Sequence, residues 1–152
     1  MSSLNAKKKL EHYCAYQERC HDEVILKLRS MALNSVEIDE VVVHLIENNF
    51  LNEERFACSF ARGKFRIKKW GKIRIVNELK FRTISQYNIN QALKEIDEGE
   101  YLSTFHSLSE LTWNTITEKN KLKKRKKFCD YLLRKGWESN MIYEKVKEFE
   151  ND

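Results

Sequence analysis

Nine basic residues lie between Arg62 and Arg82, and a single acid, Glu78, interrupts them. They are Arg62, Lys64, Arg66, Lys68, Lys69, Lys72, Arg74, Lys80 and Arg82. Phe65, Trp70 and Phe81 are interleaved. Long cationic side chains at this density suit one kind of chemistry. They reach a polyanion and release its counterions. Rings among them can stack on bases, although packing in the core is the commoner fate of any single ring. Charged runs are usually solvated helix faces, but one acid against nine bases argues for a binding surface. Lys64, Lys68 and Lys72 recur every four residues and, with Arg74, form the expected outer face.

A second basic stretch runs from Lys119 to Lys135, with nine basic residues and one acid, Asp130. Lys123, Lys124, Arg125, Lys126 and Lys127 are consecutive. On a helix they fan around the axis, so part of the run faces solvent whatever its role. Lys123, Lys124, Lys126 and Lys127 join the candidate contact residues. The whole chain carries only +5, so the remainder is acidic and the charges are segregated.

Catalysis finds no footing. His12, His21, His44 and His106 are scattered, and no P-loop, HExxH, GxSxG or dinucleotide fingerprint occurs. The sequence predicts no enzyme, no cofactor and no metal. His12, Cys14, Cys20 and His21 are close in sequence but match no standard zinc spacing. Cys14 and Cys58 read as reduced thiols in the packed interior.

The elements that must position these residues are helices. The chain has no proline and only four glycines, too few for the turns of a sheet protein. Charged residues make up 34% and the mean hydropathy is −0.65, which suits a thin stack with much surface per residue. No apolar run approaches the roughly 20 residues that cross a bilayer. The opening MSSLNAKKKLEHY lacks the apolar core of a signal peptide. These features predict a cytoplasmic protein without membrane contact, read as a monomer.

An internal repeat appears when Asn34, Ser85 and Glu138 are placed at one position. Six columns around them are apolar in all three copies: Val24, Ile75 and Phe128; Leu28, Leu79 and Leu132; Leu33, Ile84 and Trp137; Ile38, Ile89 and Ile142; Val42, Leu93 and Val146; Leu45, Ile96 and Phe149. Spacing within each copy is helical. The expected fold is all-α, an elongated, curved tandem array of three three-helix repeats covering 4–50, 51–98 and 99–150. Asn34, with Glu37, and Asn52 and Ser85 read as helix caps. Gly71 and Gly136 read as stops. The first helix of the middle unit is expected to reach about Lys69. The first helix of the last unit is expected from Tyr101, after Gly99.

Three segments resemble the bacterial RecX family of RecA modulators. Phe50-Leu51-Asn52-Glu53-Glu54-Arg55-Phe56-Ala57 is similar to an aromatic-Leu-acidic-acidic-x-Arg-Phe-Ala element. Trp70-Gly71-Lys72-Ile73-Arg74-Ile75 with Glu78-Leu79-Lys80 resembles a Gly-x-x-x-Ile-x-x-Glu-Leu element. Tyr131-Leu132-Leu133-Arg134-Lys135-Gly136-Trp137 resembles the third-repeat Tyr-Leu-x-x-Arg-Gly-Phe element. Two departures concern glycines. The family commonly has Lys-Gly-Ile-Ser where this chain has Arg82-Thr83-Ile84-Ser85, and Gly where it has Ala32-Leu33-Asn34.

The resemblance implies a right-handed array that binds in the groove of the RecA–DNA filament, inhibits its ATPase and strand exchange in recombination and repair, and binds single- or double-stranded DNA. It implies no cofactor. It also implies Phe56 and Leu79 in the core and a pairing of Arg55 with Glu78. A DNA-binding helical-repeat protein that acts without a recombinase is the alternative.

Overall fold

A computed structural model describes residues 2–151, which contain nine α-helices and no strand. They are α1 (Ser3–Tyr16), α2 (His21–Arg29), α3 (Ser35–Glu47), α4 (Glu53–Arg66), α5 (Lys72–Phe81), α6 (Gln86–Leu93), α7 (Glu98–Thr115), α8 (Lys121–Lys135) and α9 (Ser139–Glu150). No helix among the described residues is long and apolar enough to cross a membrane.

Short polar side chains start most of these helices by accepting bonds from otherwise unpaired amides. Asn34 and Glu37 form a reciprocal capping box at α3. Asn52 accepts from Arg55 N at 2.9 Å, and Ser85 accepts from Asn88 N at 3.2 Å. Asp97 caps α7 and Asn120 caps α8. Two expected boundaries move. Helix α4 stops at Arg66, because the backbone turns left-handed at Lys69 with φ 59°. Helix α7 starts at Glu98, with Gly99 inside its first turn, because Asp97 supplies the cap.

The apolar columns of the repeat turn inward. Val24, Leu28, Leu45, Ile75, Leu79, Phe128, Leu132, Trp137 and Ile142 have no exposed surface. Leu33, Ile38, Val42, Leu93 and Phe149 are half-buried, and no column member is exposed.

The left-handed turn two residues before each repeat origin also recurs. Ala32 has φ 54°, Thr83 has φ 60° and Gly136 has φ 95°. At the second and third of these turns an amide bonds back across the helix end, from Ile84 to Leu79 O and from Trp137 to Leu132 O. That is the bonding of a Schellman cap. The backbone keeps the turn even where the glycine is missing.

The residues divide into two compact units. The first holds 1–60 and 79–92. One core cluster in it joins Ala6, Leu10, Cys14, Val24, Leu28, Val41, Leu45 and Leu51 from α1, α2, α3 and the following turn. His44 Nε2 meets Glu11 Oε2 at 2.8 Å, which ties α3 to α1. Arg55 meets Glu18 at 2.7 Å and also donates to Asn49 and to the carbonyl of Phe50. Thr83 Oγ1 donates to Asp22 at 2.8 Å.

The second unit holds 61–78 and 93–152. Its centre is aromatic. Tyr101 lies 4.5 Å from Trp137 and 5.8 Å from Phe65, ring to ring, and Phe105 lies 5.4 Å from Trp137. Trp113, Phe128 and Phe149 form a second group, with Trp113 stacked on Phe149 at 4.9 Å.

Candidate nucleic-acid interface

Within the second unit, residues 68–74 and 134–137 lock together through their main chains. Gly71 N donates to Lys135 O at 2.9 Å, and Ile73 N donates to Gly136 O at 3.0 Å. Lys135 Nζ reaches Lys68 O at 2.7 Å, and the buried Trp137 indole donates to Lys69 O at 3.1 Å. Arg74 donates to Arg134 O at 3.2 Å.

Only glycines permit this crossing. A methyl group on Gly71 would lie 2.6 Å from Trp137 Cα, and one on Gly136 would lie 2.5 Å from Arg74 N. Both distances are well inside van der Waals contact.

Tyr101 braces the joint from below. Its hydroxyl accepts from Lys72 N at 2.8 Å and donates to the Glu138 carboxylate. Burial, aided by that carboxylate, pushes the phenol far above its usual range, so it stays a donor.

The joint fixes where the cations of the middle stretch go. Lys64 Nζ lies 5.0 Å and the Arg74 guanidinium 4.1 Å from the Trp70 ring centre, within cation–π range. Lys68 and Lys69 are exposed on the turn. Lys135 is anchored beside them through its bond to Lys68 O. Two cations thus lie over a half-buried indole, and three more, Lys68, Lys69 and Lys135, lie on or beside the turn that carries it.

Three predicted contact residues also meet acids within the unit. Arg62 donates to Glu95, Arg66 lies 3.6 Å from Glu100, and Lys72 lies 2.9 Å from Glu98. Lys72 also lies 4.5 Å from the Tyr101 ring. Acids just before α7 and in its first turn thus offset part of the basic stretch. The four-residue spacing of Lys64, Lys68 and Lys72 does not make one helix face, because Lys68 sits in the turn and Lys72 begins a new helix.

Lys80 and Arg82 belong to the first unit. Lys80 is exposed, and Arg82 lies 4.8 Å from the Phe60 ring centre.

Lys123 to Lys127 occupy the first turns of α8, at the end of that helix away from Lys135. Lys123 and Lys135 are about 18 Å apart along the axis. Lys124 lies over Trp113 at 4.3 Å. Arg125 makes a two-pronged bond to Glu150, which lowers that carboxyl below its usual range. Lys126 bonds Asp130 at 2.6 Å, and Lys127 lies 3.7 Å from Glu118. Lys123 is exposed and has no ion pair among the described residues.

Sequence reasoning missed Lys135 as a partner of Lys68. The only hint was the pair of glycines, Gly71 and Gly136, each inside a motif. It also placed Cys58 fully inside, whereas Cys58 is half-buried and Cys14 and Cys20 are buried. Burial pushes the Cys20 thiol up to about 11. That thiol and the Cys20 amide both meet Glu23 at the start of α2. Among the described residues, no three His, Cys, Asp or Glu side chains are grouped to hold a metal.

Comparison with known proteins gives a consistent result. Residues 52–93, which contain α4 to α6, match the second three-helix domain of RecX. The regulatory protein RecX of Lactococcus lactis is 31% identical over 129 residues, covering 83% of this chain and 48% of that protein. RecX of Bacillus cytotoxicus is 25% identical over 143 residues, covering 92% and 53%. The chain spans about half the length of these two curated relatives. The crystal structure of RecX from Lactobacillus salivarius has the same fold, with a TM-score of 0.81 at 23% identity over 99% of this chain and 97% of that one.

Proposed function

Because this chain belongs to the RecX family of regulatory proteins, we propose that it regulates the RecA recombinase by seating on the recombinase–DNA filament. The observation that supports this reading is the joint at Gly71 and Gly136. It fixes the turn that carries Lys68, Lys69 and Trp70, brings Lys135 and Arg74 beside it, and leaves Lys64 and Arg74 over the Trp70 ring.

The mechanism is electrostatic and steric. Exposed lysines on a rigid turn meet DNA phosphates or acidic filament surface and release counterions. The main chain of the turn is set before binding, so little backbone entropy is lost when the contact forms. A helical module seated there obstructs the cycle of ATP hydrolysis and strand exchange. No bond is made or broken by this chain.

The test is a titration of the protein into the cognate recombinase on DNA, read as ATP hydrolysis. Hydrolysis falls as the protein is added. Unchanged hydrolysis at saturating protein rejects the proposal. If hydrolysis is unchanged while the protein binds bare DNA tightly and with steep salt dependence, the chain is instead a DNA-binding protein that acts without a recombinase.

A further inference from the structure

A groove of about 540 Å³ runs between α7 and α8 in the second unit and reaches the joint at Arg134. Its α7 wall is Leu108, Leu111, Thr112 and Thr115, and its α8 wall is Lys127, Asp130, Tyr131 and Arg134. Each wall has the spacing i, i+3, i+4, i+7, so each is one face of its helix. Two such ridges side by side make a trough into which a third helix can lay its own ridge. Ile116 closes one end.

The trough is apolar on one side and cationic on the other. Leu111 is 63% exposed and Tyr131 is 36% exposed, so each wall offers apolar surface to the trough. The α7 wall carries no charge. On the α8 wall, Asp130 is already bonded to Lys126 and Lys127 lies 3.7 Å from Glu118, whereas the Arg134 side chain has no carboxylate partner among the described residues. Arg134 gives only its carbonyl to the joint.

We propose that this trough binds an acidic amphipathic helix of a protein partner, with leucine-like or aromatic anchors against Leu108 and Leu111 and carboxylates against Arg134 and, in exchange for Glu118, Lys127. Charge complementarity selects the acid. The uncharged leucine wall selects protein over nucleic acid, because a phosphate chain gains nothing from Leu108, Leu111 and Ile116. Helix-in-groove recognition uses the same i, i+3, i+4, i+7 anchors.

The test uses the full chain, without recombinase or DNA, so it stands or falls apart from the filament reading. The probe is a fluorescent helical peptide with glutamates on one face and leucines on the other, followed by anisotropy. The peptide binds. Leu111→Glu and Arg134→Glu each weaken it at least tenfold, and Leu26→Glu, at a site 70% exposed in the first unit, leaves it unchanged. Far-ultraviolet dichroism checks that every variant stays helical.

Three results would overturn the idea. The peptide does not bind, or its affinity is the same in Leu111→Glu, or a glutamate peptide with serines in place of leucines binds equally well. Competitive displacement of the peptide by a DNA oligonucleotide would reassign the trough to nucleic acid.

Discussion

Gly71 and Gly136 lie back to back, with the Gly71 amide bonded to the carbonyl of the residue before Gly136. Either Cβ would fall on main-chain atoms, at Trp137 for one and Arg74 for the other. Backbone cannot swing aside as a side chain can, so the whole joint must open. Gly71→Ala and Gly136→Ala are each expected to lower stability by at least about 2 kcal/mol. Gly136→Ala should suffer more, since its φ of 95° is also unfavourable for alanine. Urea unfolding measures both. Gly63→Ala is the control, because nothing lies within 4 Å of its added methyl.

The recurring left-handed turn makes the opposite prediction at Ala32, where φ is 54°. Glycine there removes the left-handed penalty, offset in part by greater freedom of the unfolded chain. Ala32→Gly should gain about 0.5–1 kcal/mol in urea. Thr83→Gly removes the same penalty but also the bond to Asp22. A double-mutant cycle with Asp22→Ala separates the two contributions.

Tyr101 predicts a pH effect. Its phenol is pushed up from the ordinary value of 10.0, by burial first and then by the bond to Glu138. The folded state therefore holds this proton more tightly than the unfolded chain. The contribution is whole below pH 10 and declines as pH rises above it. Tyr101→Phe is expected to cost about 1–3 kcal/mol at neutral pH, by leaving Lys72 N–H and Glu138 without the hydroxyl. It should also flatten the alkaline fall of stability. Unfolding curves at pH 7 and above pH 10 test both points.

The cations divide into two kinds. Lys69 is exposed on the turn, whereas Lys72 is held by Glu98 and the Tyr101 ring. Lys69→Ala should weaken DNA or filament binding and reduce the salt slope by about 1. Lys72→Ala should change the slope less. Equal effects from the two would mean that the Glu98 pair opens on binding.

Leu28, Leu79 and Leu132 occupy one column of the repeat, and each is fully buried. Replacing any of them by alanine should cost about 2–5 kcal/mol. Calorimetry of the three variants also shows how evenly the repeats share stability.

Helical periodicity and capping are local, so much of the fold was legible before any coordinates. The caps at Asn34, Asn52 and Ser85 form as their side chains dictate. The end of α4 was misplaced because Lys69 gives no local sign of its left-handed turn. That turn is paid for by the Trp137 indole, which binds its carbonyl from 68 residues away.

The helical class, the six inward-facing apolar columns and the density of cations were legible in the sequence alone, because each follows from residue type and short-range spacing. Which cations face outward was decided only in three dimensions. Arg62 meets Glu95 just before α7, Arg66 and Lys72 meet acids in its first turn, Lys64 and Arg74 close on Trp70, and Lys135 arrives beside Lys68. A charge acts through its distance from other charges. Those distances depend on which helices pack together, and no local pattern in the chain encodes them.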